Sequence, residues 1–399
     1  MSAPRTVSIM GSTGSVGQSA ISAIKFANGA GREPVYEIDT LCAHRDVDGL
    51  ARQAIEFNAK LAVIADESCL DELRNRLHPA GIECAGGDAA VQEAATRPCD
   101  RLIAAIVGIA GLHSTFAAVR AGNDVVLANK ESMVCAGPLL KQEALKSGAQ
   151  ILPADSEHNA IFQVLERLED VERLILTASG GPFRTWTREQ MLVATPELAC
   201  AHPRWEMGRK ISVDSATLMN KGLELIEASY LFDMPEDRID VVVHPQSAIH
   251  SLVAYRDGSL LAQIGTPDMQ VPLSHALSWP NRRQPTAVPL LDLVKTGSFE
   301  FEALDDSRFA GVSLARKALR AGGMSPAVLN CANEVAVAAF LEGQCGFLDI
   351  SLIVENTLEQ FSASAHASEC ARDLDEIEAI DVEARRLAST LLERVSAGA

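Results

Sequence analysis

Gly11-Ser12-Thr13-Gly14-Ser15-Val16-Gly17 sits directly after the apolar run Val7-Ser8-Ile9-Met10 and directly before a helical pattern over residues 15–27. A strand that turns through glycines into a helix brings backbone N–H groups to the helix N-terminus, where a pyrophosphate can approach. The spacing is GxxGxxG, not the GxGxxG of many dinucleotide-binding proteins. The motif opens a long alternation. Strands are predicted at residues 7–10, 37–42, 61–65, 101–107, 124–128 and 151–153, with amphipathic helices between them, 47–57 among these. Such alternation builds a parallel sheet covered by helices. The runs Leu102–Val107 and Asp124–Ala128 are apolar enough for strands buried on both faces.

Charge narrows the partners. Lys plus Arg number 35 and Asp plus Glu 53, a net charge of −18. An acidic surface does not attract nucleic acid or an anionic membrane, although a local basic pocket for a small phosphate remains compatible. The longest strongly apolar run, residues 102–112, is too short to span a bilayer. The first residues lead straight into a strand without an apolar leader, so no signal peptide is expected. Nine cysteines are scattered with no CxxC pair. They read as reduced thiols of a cytoplasmic protein.

The second strand ends at His44-Arg45-Asp46. An acidic residue there binds the ribose 2′-hydroxyl of NAD, whereas an arginine accommodates the 2′-phosphate of NADP. Arg45 argues for NADP and Asp46 against it. Asp155-Ser156-Glu157 follows another strand, and in extended chain the two acids share a side and reach one cation. The bland alternative is a helix N-cap with solvated acids. Asn220, Lys221 and Glu224 share a helix face. Three carboxylates without a cysteine suit Mg²⁺ or Mn²⁺, with Co²⁺ a further candidate.

Ser179-Gly180-Gly181 follows a strand predicted at 173–177 and offers hydroxyl and N–H groups to a phosphate. Ser215, Asn220 and Lys221 add a hydroxyl, an amide and an ammonium. Glycines at 180–181 and 208 are placed as hinges of a lid. Trp205, near its far end with His202 and Met207, either covers a substrate or anchors a core. Lys130 lies just after a strand, at the sheet edge where ligands bind. His158 is placed near the carboxylates, and His244 and His250 are read as structural. Further strands are predicted at 240–243, 249–255 and 259–264, with a hairpin turn at 256–258. A Pro-rich linker is expected at 279–292 and helices from 313 to the end.

The motifs GSTGSVG, LANKES, ADSEHNAIFQ, TASGGPFR, HPRWEMGRKISVDSATLMNKGLELIEA, VHPQSAIHS and LNCANEVAVAAFL occur in this order. Together they resemble the 1-deoxy-D-xylulose-5-phosphate reductoisomerase family over essentially the whole chain. The resemblance implies rearrangement of 1-deoxy-D-xylulose 5-phosphate and its reduction by NADPH to 2-C-methyl-D-erythritol 4-phosphate, in the non-mevalonate route to isoprenoids. It implies a required divalent cation and a homodimer. Carried over by position, Asp155, Glu157 and Glu224 are the metal ligands. Ser179, Ser215, Asn220 and Lys221 hold the phosphate. Lys130, Ser156 and His202 touch the substrate, and Trp205 and Met207 belong to a flap. Thr13, Gly14, Ser15, Val16, Asn129, Glu131 and Gly208 contact NADPH, with His44, Arg45 and Asp46 at its 2′-phosphate edge. The family often has a Gly-Lys/Arg-Asn-like trio there, so Asp46 is a departure.

The implied layout is an α/β protein. A Rossmann-like NADPH-binding domain spans 1–154 and an α+β catalytic domain 155–285, with the flap at about 180–209. A linker spans 286–312 and a C-terminal helical bundle 313–399. Two rival readings are a dinucleotide-dependent reductase of another phosphorylated sugar without rearrangement, and a non-catalytic NADPH-binding sensor.

Overall fold

The computed structural model describes residues 3–31, 33–201, 208–281, 284–362 and 370–398. The chain divides into two compact units. The first comprises residues 1–132, 140–159 and 268–289, and the second 133–139, 160–267 and 290–399. Residues 155–285, expected as one central part, are therefore shared between them.

The first unit is a Rossmann-like seven-stranded parallel sheet. Its strands are β1 (Arg5–Met10), β2 (Tyr36–Ala43), β3 (Leu61–Ile64), β4 (Glu83–Gly86), β5 (Arg101–Ala104), β6 (Val125–Leu127) and β7 (Ile151–Pro153). The helices are α1 (Ser15–Gly29), α2 (Val47–Phe57), α3 (Leu70–Leu77), α4 (Asp88–Ala95), α5 (Leu112–Arg120), α6 (Lys130–Ser147) and α7 (Ser156–Val164). The strand order is β4-β3-β2-β1-β5-β6-β7. The chain steps outward from β1 to β4, then restarts on the other side of β1. The strand order thus reverses between β1 and β5, and ligands bind beyond the strand C-termini at such a point.

The central strands β5 and β6 are buried throughout, as two-sided coverage requires. β5 ends at Ala104, earlier than the apolar run suggested, because the following residues leave the sheet to pass the glycine turn. β4 escaped the sequence reading. It is an edge strand paired only with β3, and its residues Glu-Cys-Ala-Gly are exposed or half-buried. In α6, Ala136 leaves helical geometry at φ −134°, two residues before Pro138. Proline lacks an N–H and crowds the preceding turn, which kinks the helix.

The second unit holds a five-stranded mixed sheet in the order β11-β10-β8-β9-β12. Its strands are β8 (Val171–Ala178), β9 (Ile239–Val243), β10 (Ile249–Tyr255), β11 (Leu260–Ile264) and β12 (Glu302–Ala303). Only β8 and β9 pair in parallel. The predicted hairpin is present: Gly258 N–H donates to the Tyr255 carbonyl, and Asp257 accepts from the Ser259 N–H at 2.8 Å. Helices α8 (Arg209–Ala216) and α9 (Met219–Leu231) precede β9. Helices α10 (Gly311–Ala321), α11 (Ser325–Leu341), α12 (Phe347–Ser362) and α13 (Leu374–Gly398) form the C-terminal bundle. Phe183, Val213, Ile226, Leu329, Phe340 and Ile353 meet in its core.

Candidate active site

The expected residues of the first unit follow strand C-termini. The glycine turn follows β1, residues 44–46 follow β2, Asn129 follows β6 and Asp155 follows β7. Two glycines of the turn are required by the protein itself. Gly11 adopts φ +92°, and a Cβ there would lie 2.7 Å from the Ala105 carbonyl oxygen. A Cβ on Gly17 would lie 2.2 Å from the Gly11 carbonyl oxygen. Gly14 is different. It is the exposed N-cap of α1, its nearest neighbour to an added Cβ is 3.5 Å away, and no side chain caps the helix. The first turn of α1 is left open to an anion.

At the end of β2, His44, Arg45 and Asp46 are all exposed. Asp46 is the N-cap of α2, and its carboxylate accepts from the Gly49 N–H at 2.9 Å. That acid satisfies a helix end. Arg45 pairs with Asp66, beyond β3, at 2.6 Å. Hydrogen bonds from Ser68 and the Arg45 charge hold the Asp66 carboxyl below its usual range.

Asn129 caps α6 by accepting from the Ser132 N–H, and its amide donates to the carbonyls of Ile106 and Gly108 and to Glu131. The cap ties the loop after β5 to the start of α6. It also sets the direction of Lys130, the first residue of that helix. The buried Lys130 ammonium lies 2.5 Å from Asp155. His158 is fully buried, with Nδ1 4.0 Å from the same carboxylate. Ser156 Oγ donates to Glu157 at 2.5 Å.

One expectation about this segment needs correction. Residues 155–157 are not extended. Asn159 N–H donates to the Asp155 carbonyl at 2.8 Å, and Ser156 and Glu157 form the first turn of α7. The two acids are presented by a strand-to-helix elbow, because β7 is only three residues long and α7 starts at once.

In the second unit, Ser179 follows β8, and its hydroxyl accepts from the Gly181 N–H at 3.2 Å. A Cβ on Gly181 would lie 2.5 Å from the Ser215 carbonyl oxygen, so the loop after β8 rests on the end of α8. This brings the Ser179 loop against Ser215. Leu218, at φ +58°, then turns the chain into α9. An αL leucine is strained and is held here by burial. Its turn puts Asn220, Lys221 and Glu224 on the first turns of α9. Glu224 is 1% exposed and accepts from both Asn220 and Lys221. A buried carboxylate needs such partners.

Residues 180–181, expected as a hinge, are closely packed on one side. Gly181 has no room, and the stretch beyond it is anchored in the core by Phe183, Met191, Ala194 and Ala199. His202, Trp205 and Met207 lie outside the described residues, and Gly208, at the start of α8, is exposed. The sequence reading also passed over Asp214. It is 1% exposed, pairs with Lys210 at 2.9 Å and accepts from the buried Asn333 amide at 2.7 Å. The Lys210 and Asp214 spacing of i, i+4 was the available signal.

The other histidines, expected as structural, differ in their surroundings. His244 accepts from the Ala248 N–H, so its Nδ1 carries the proton given to the Glu300 carbonyl, and Phe301 stacks on the ring. His250 is pushed down from 6.5 to about 4 by burial, with the Lys221 charge adding to the effect against a Gly265 backbone hydrogen bond. The folded chain binds this proton more weakly than the unfolded chain. Its contribution is complete above about pH 6.5 and is lost as the pH falls toward 4. Urea unfolding should show His250→Gln lacking about 2 kcal/mol of the parent's stability loss between pH 7 and 5. Equal losses would show that His250 protonates freely in the folded state.

Comparison with known proteins identifies the family. Three family profiles match: 1-deoxy-D-xylulose 5-phosphate reductoisomerase over residues 7–137, its C-terminal domain over 151–232, and the DXP reductoisomerase C-terminal domain over 264–387. A 1-deoxy-D-xylulose 5-phosphate reductoisomerase of Rhodospirillum centenum is 54% identical over 396 residues, covering 99% of this chain and 95% of the relative. One of Caulobacter vibrioides is 53% identical over 395 residues, 98% of each. Among solved structures, the reductoisomerase of Zymomonas mobilis in complex with NADPH superposes with a TM-score of 0.90 at 47% identity, covering 98% of this chain and 100% of that one. A DOX-P reductoisomerase in complex with NADPH, fosmidomycin and magnesium gives 0.91 at 41% identity, covering 98% of both. The chain belongs to the 1-deoxy-D-xylulose 5-phosphate reductoisomerase family.

Proposed function

We propose that this chain converts 1-deoxy-D-xylulose 5-phosphate to 2-C-methyl-D-erythritol 4-phosphate with NADPH and a divalent cation, Mg²⁺ or Mn²⁺, in the non-mevalonate route to isoprenoids. The observation that carries the reading is identity above 50% to named reductoisomerases over essentially the full length. The donor chemistry of the chain fits both groups. Buried or half-buried carboxylates with no cysteine among them suit a hard cation. An uncapped helix N-terminus behind Gly14 suits a pyrophosphate.

Asp155, Glu157 and Glu224 are the proposed metal ligands. When bound, the cation supplies Lewis-acid polarisation of the substrate's oxygens, and the dinucleotide supplies hydride. Lys130, held beside Asp155, orients that carboxylate and would offer its ammonium to a substrate oxygen. Ser156 and His202 position the substrate, and Trp205 and Met207 shield it from water. Thr13, Gly14, Ser15 and Val16 seat the pyrophosphate. Asn129, Glu131 and Gly208 contact the rest of the dinucleotide. His44, Arg45 and Asp46 are proposed at the 2′-phosphate edge, where Asp46 caps α2 and a 2′-phosphate would compete with Asp66 for Arg45. The proposed assembly is a homodimer and the proposed compartment the cytoplasm. Among the described residues no helix is long and apolar enough to cross a membrane.

Ser179, Ser215, Asn220 and Lys221 grip the phosphate, which is remote from the bonds that change and so supplies energy for positioning. Lys221→Ala is expected to raise KM about 10- to 100-fold, the loss of one charge-assisted hydrogen bond, with a smaller effect on kcat at saturating Mn²⁺ and a lower melting temperature because Glu224 loses its buried partner. An unchanged KM would remove Lys221 from the phosphate site. The reaction itself is tested by NADPH oxidation with 1-deoxy-D-xylulose 5-phosphate, with Mg²⁺ or Mn²⁺ and again with EDTA. Metal-dependent oxidation with a branched product supports the proposal. An unbranched product points to a simple reductase.

A further inference from the structure

The elbow that presents Asp155 and Glu157 is held by a residue to which the proposed reaction gives no role. Asn159 is fully buried in the first turns of α7. Its backbone N–H closes onto the Asp155 carbonyl at 2.8 Å. Its side-chain nitrogen donates to the carbonyl of Pro153, the last residue of β7, also at 2.8 Å. Asn159 therefore ties both Pro153, at the strand end, and Asp155, the first acid, to the first turns of α7.

The same side-chain nitrogen lies 3.1 Å from Nδ1 of His275, on the helix Gln270–Ser278 and 116 residues further along the chain. A carbonyl oxygen only accepts, so the nitrogen assignment of the Asn159 amide is fixed by Pro153. Its second hydrogen then faces His275, and Nδ1 must be the unprotonated acceptor. The imidazole locks the plane of the amide, and the amide locks the elbow. Groups of this kind behind metal ligands set affinity by keeping the ligand backbone in place.

We propose that Asn159 and His275 form a positioning pair that holds the Asp155 and Glu157 carboxylates in register for the divalent cation. The inference rests on the reading of these two acids as metal ligands. Loss of the pair lowers cation affinity while the glycine turn, elsewhere in the sheet, keeps its dinucleotide.

The test is Mn²⁺ binding by the full-length protein without substrate or NADPH, followed by the free-Mn²⁺ electron paramagnetic resonance signal, with NADPH binding measured in parallel. Asn159→Ala should weaken Mn²⁺ about 10- to 100-fold, and NADPH by no more than about twofold. At the half-buried His275, His275→Leu removes the acceptor and should weaken Mn²⁺ about tenfold. His275→Gln offers a replacement carbonyl and should stay within about threefold of the parent. Should Asn159→Ala not fold, the two His275 variants decide alone. Parent-like Mn²⁺ binding in Asn159→Ala, or in His275→Leu, overturns the pair. Equal weakening in His275→Leu and His275→Gln also overturns it, because packing and not the acceptor is then at work. Asp155→Asn separates the two levels: if it binds Mn²⁺ as the parent does, the metal-ligand reading itself falls, and this inference with it.

Discussion

Glu224→Gln is expected to lower turnover about a thousandfold or more while NADPH binding stays within about twofold of the parent. Glutamine keeps the shape of the side chain and removes the charge a hard cation needs. The dinucleotide contacts proposed at residues 13–16 belong to the other unit of the chain and do not depend on α9. A second effect follows from burial. Lys221 and Glu224 are both nearly inaccessible, so the variant leaves the ammonium buried without its carboxylate. That costs about 3–5 kcal/mol of stability. Adding Lys221→Met to Glu224→Gln removes the orphaned charge, and it should restore stability without restoring turnover. Steady-state kinetics at saturating Mn²⁺, calorimetric melting and NADPH titration read the three parts separately. Parent-like turnover in Glu224→Gln would take Glu224 out of the metal site.

What the sequence made legible was local. The strand-turn-helix around Gly11–Gly17 could be read because period, glycines and apolar run coincide within a dozen residues. The edge strand β4 could not. With one neighbouring strand and little burial, Glu83–Gly86 has no need of an apolar pattern. Asp46 shows the same limit at a single residue. Whether an acid at a strand end meets a ribose or caps a helix depends on its rotamer, and the Gly49 N–H settles that only once α2 is in place.

The site shows a second limit. Asp155 and Glu157 sit on a strand-to-helix elbow and not on extended chain, and a three-residue strand leaves no signal of where extension ends. Gly180 and Gly181 carry positive φ, which suits a hinge and a tight turn equally. The Ser215 carbonyl beneath Gly181, which leaves no room for a Cβ, has no counterpart in the local sequence. The buried amide of Asn333 reaches Asp214 across 119 residues of chain, a distance at which periodicity and spacing say nothing. Chemistry-bearing residue types are thus legible one at a time, and the supports that aim them are not.

The glycine turn yields the second large effect, as a contrast within one motif. Gly17→Ala would place a methyl 2.2 Å from the Gly11 carbonyl oxygen and 2.6 Å from Ser12 backbone atoms. None of these is a flexible side-chain end, so β1 and α1 must move apart, at about 3 kcal/mol and with the cofactor seat distorted. Gly14→Ala meets only an ordinary contact at 3.5 Å, at φ −72° and ψ 170°, which alanine adopts readily. The small cost of an alanine N-cap and the gain from a less flexible unfolded chain nearly cancel, leaving stability within about 0.5 kcal/mol of the parent. Its methyl nevertheless stands where a pyrophosphate must approach the N–H groups of α1. Displacing one charged hydrogen bond raises the NADPH dissociation constant about 10- to 100-fold. Calorimetry and NADPH fluorescence titration on both variants give the pattern: Gly17→Ala loses stability and binding together, and Gly14→Ala loses binding alone. Tight NADPH binding by Gly14→Ala would mean that the pyrophosphate sits away from the α1 N-terminus. An undiminished melting temperature in Gly17→Ala would mean that the turn has slack the backbone distances deny.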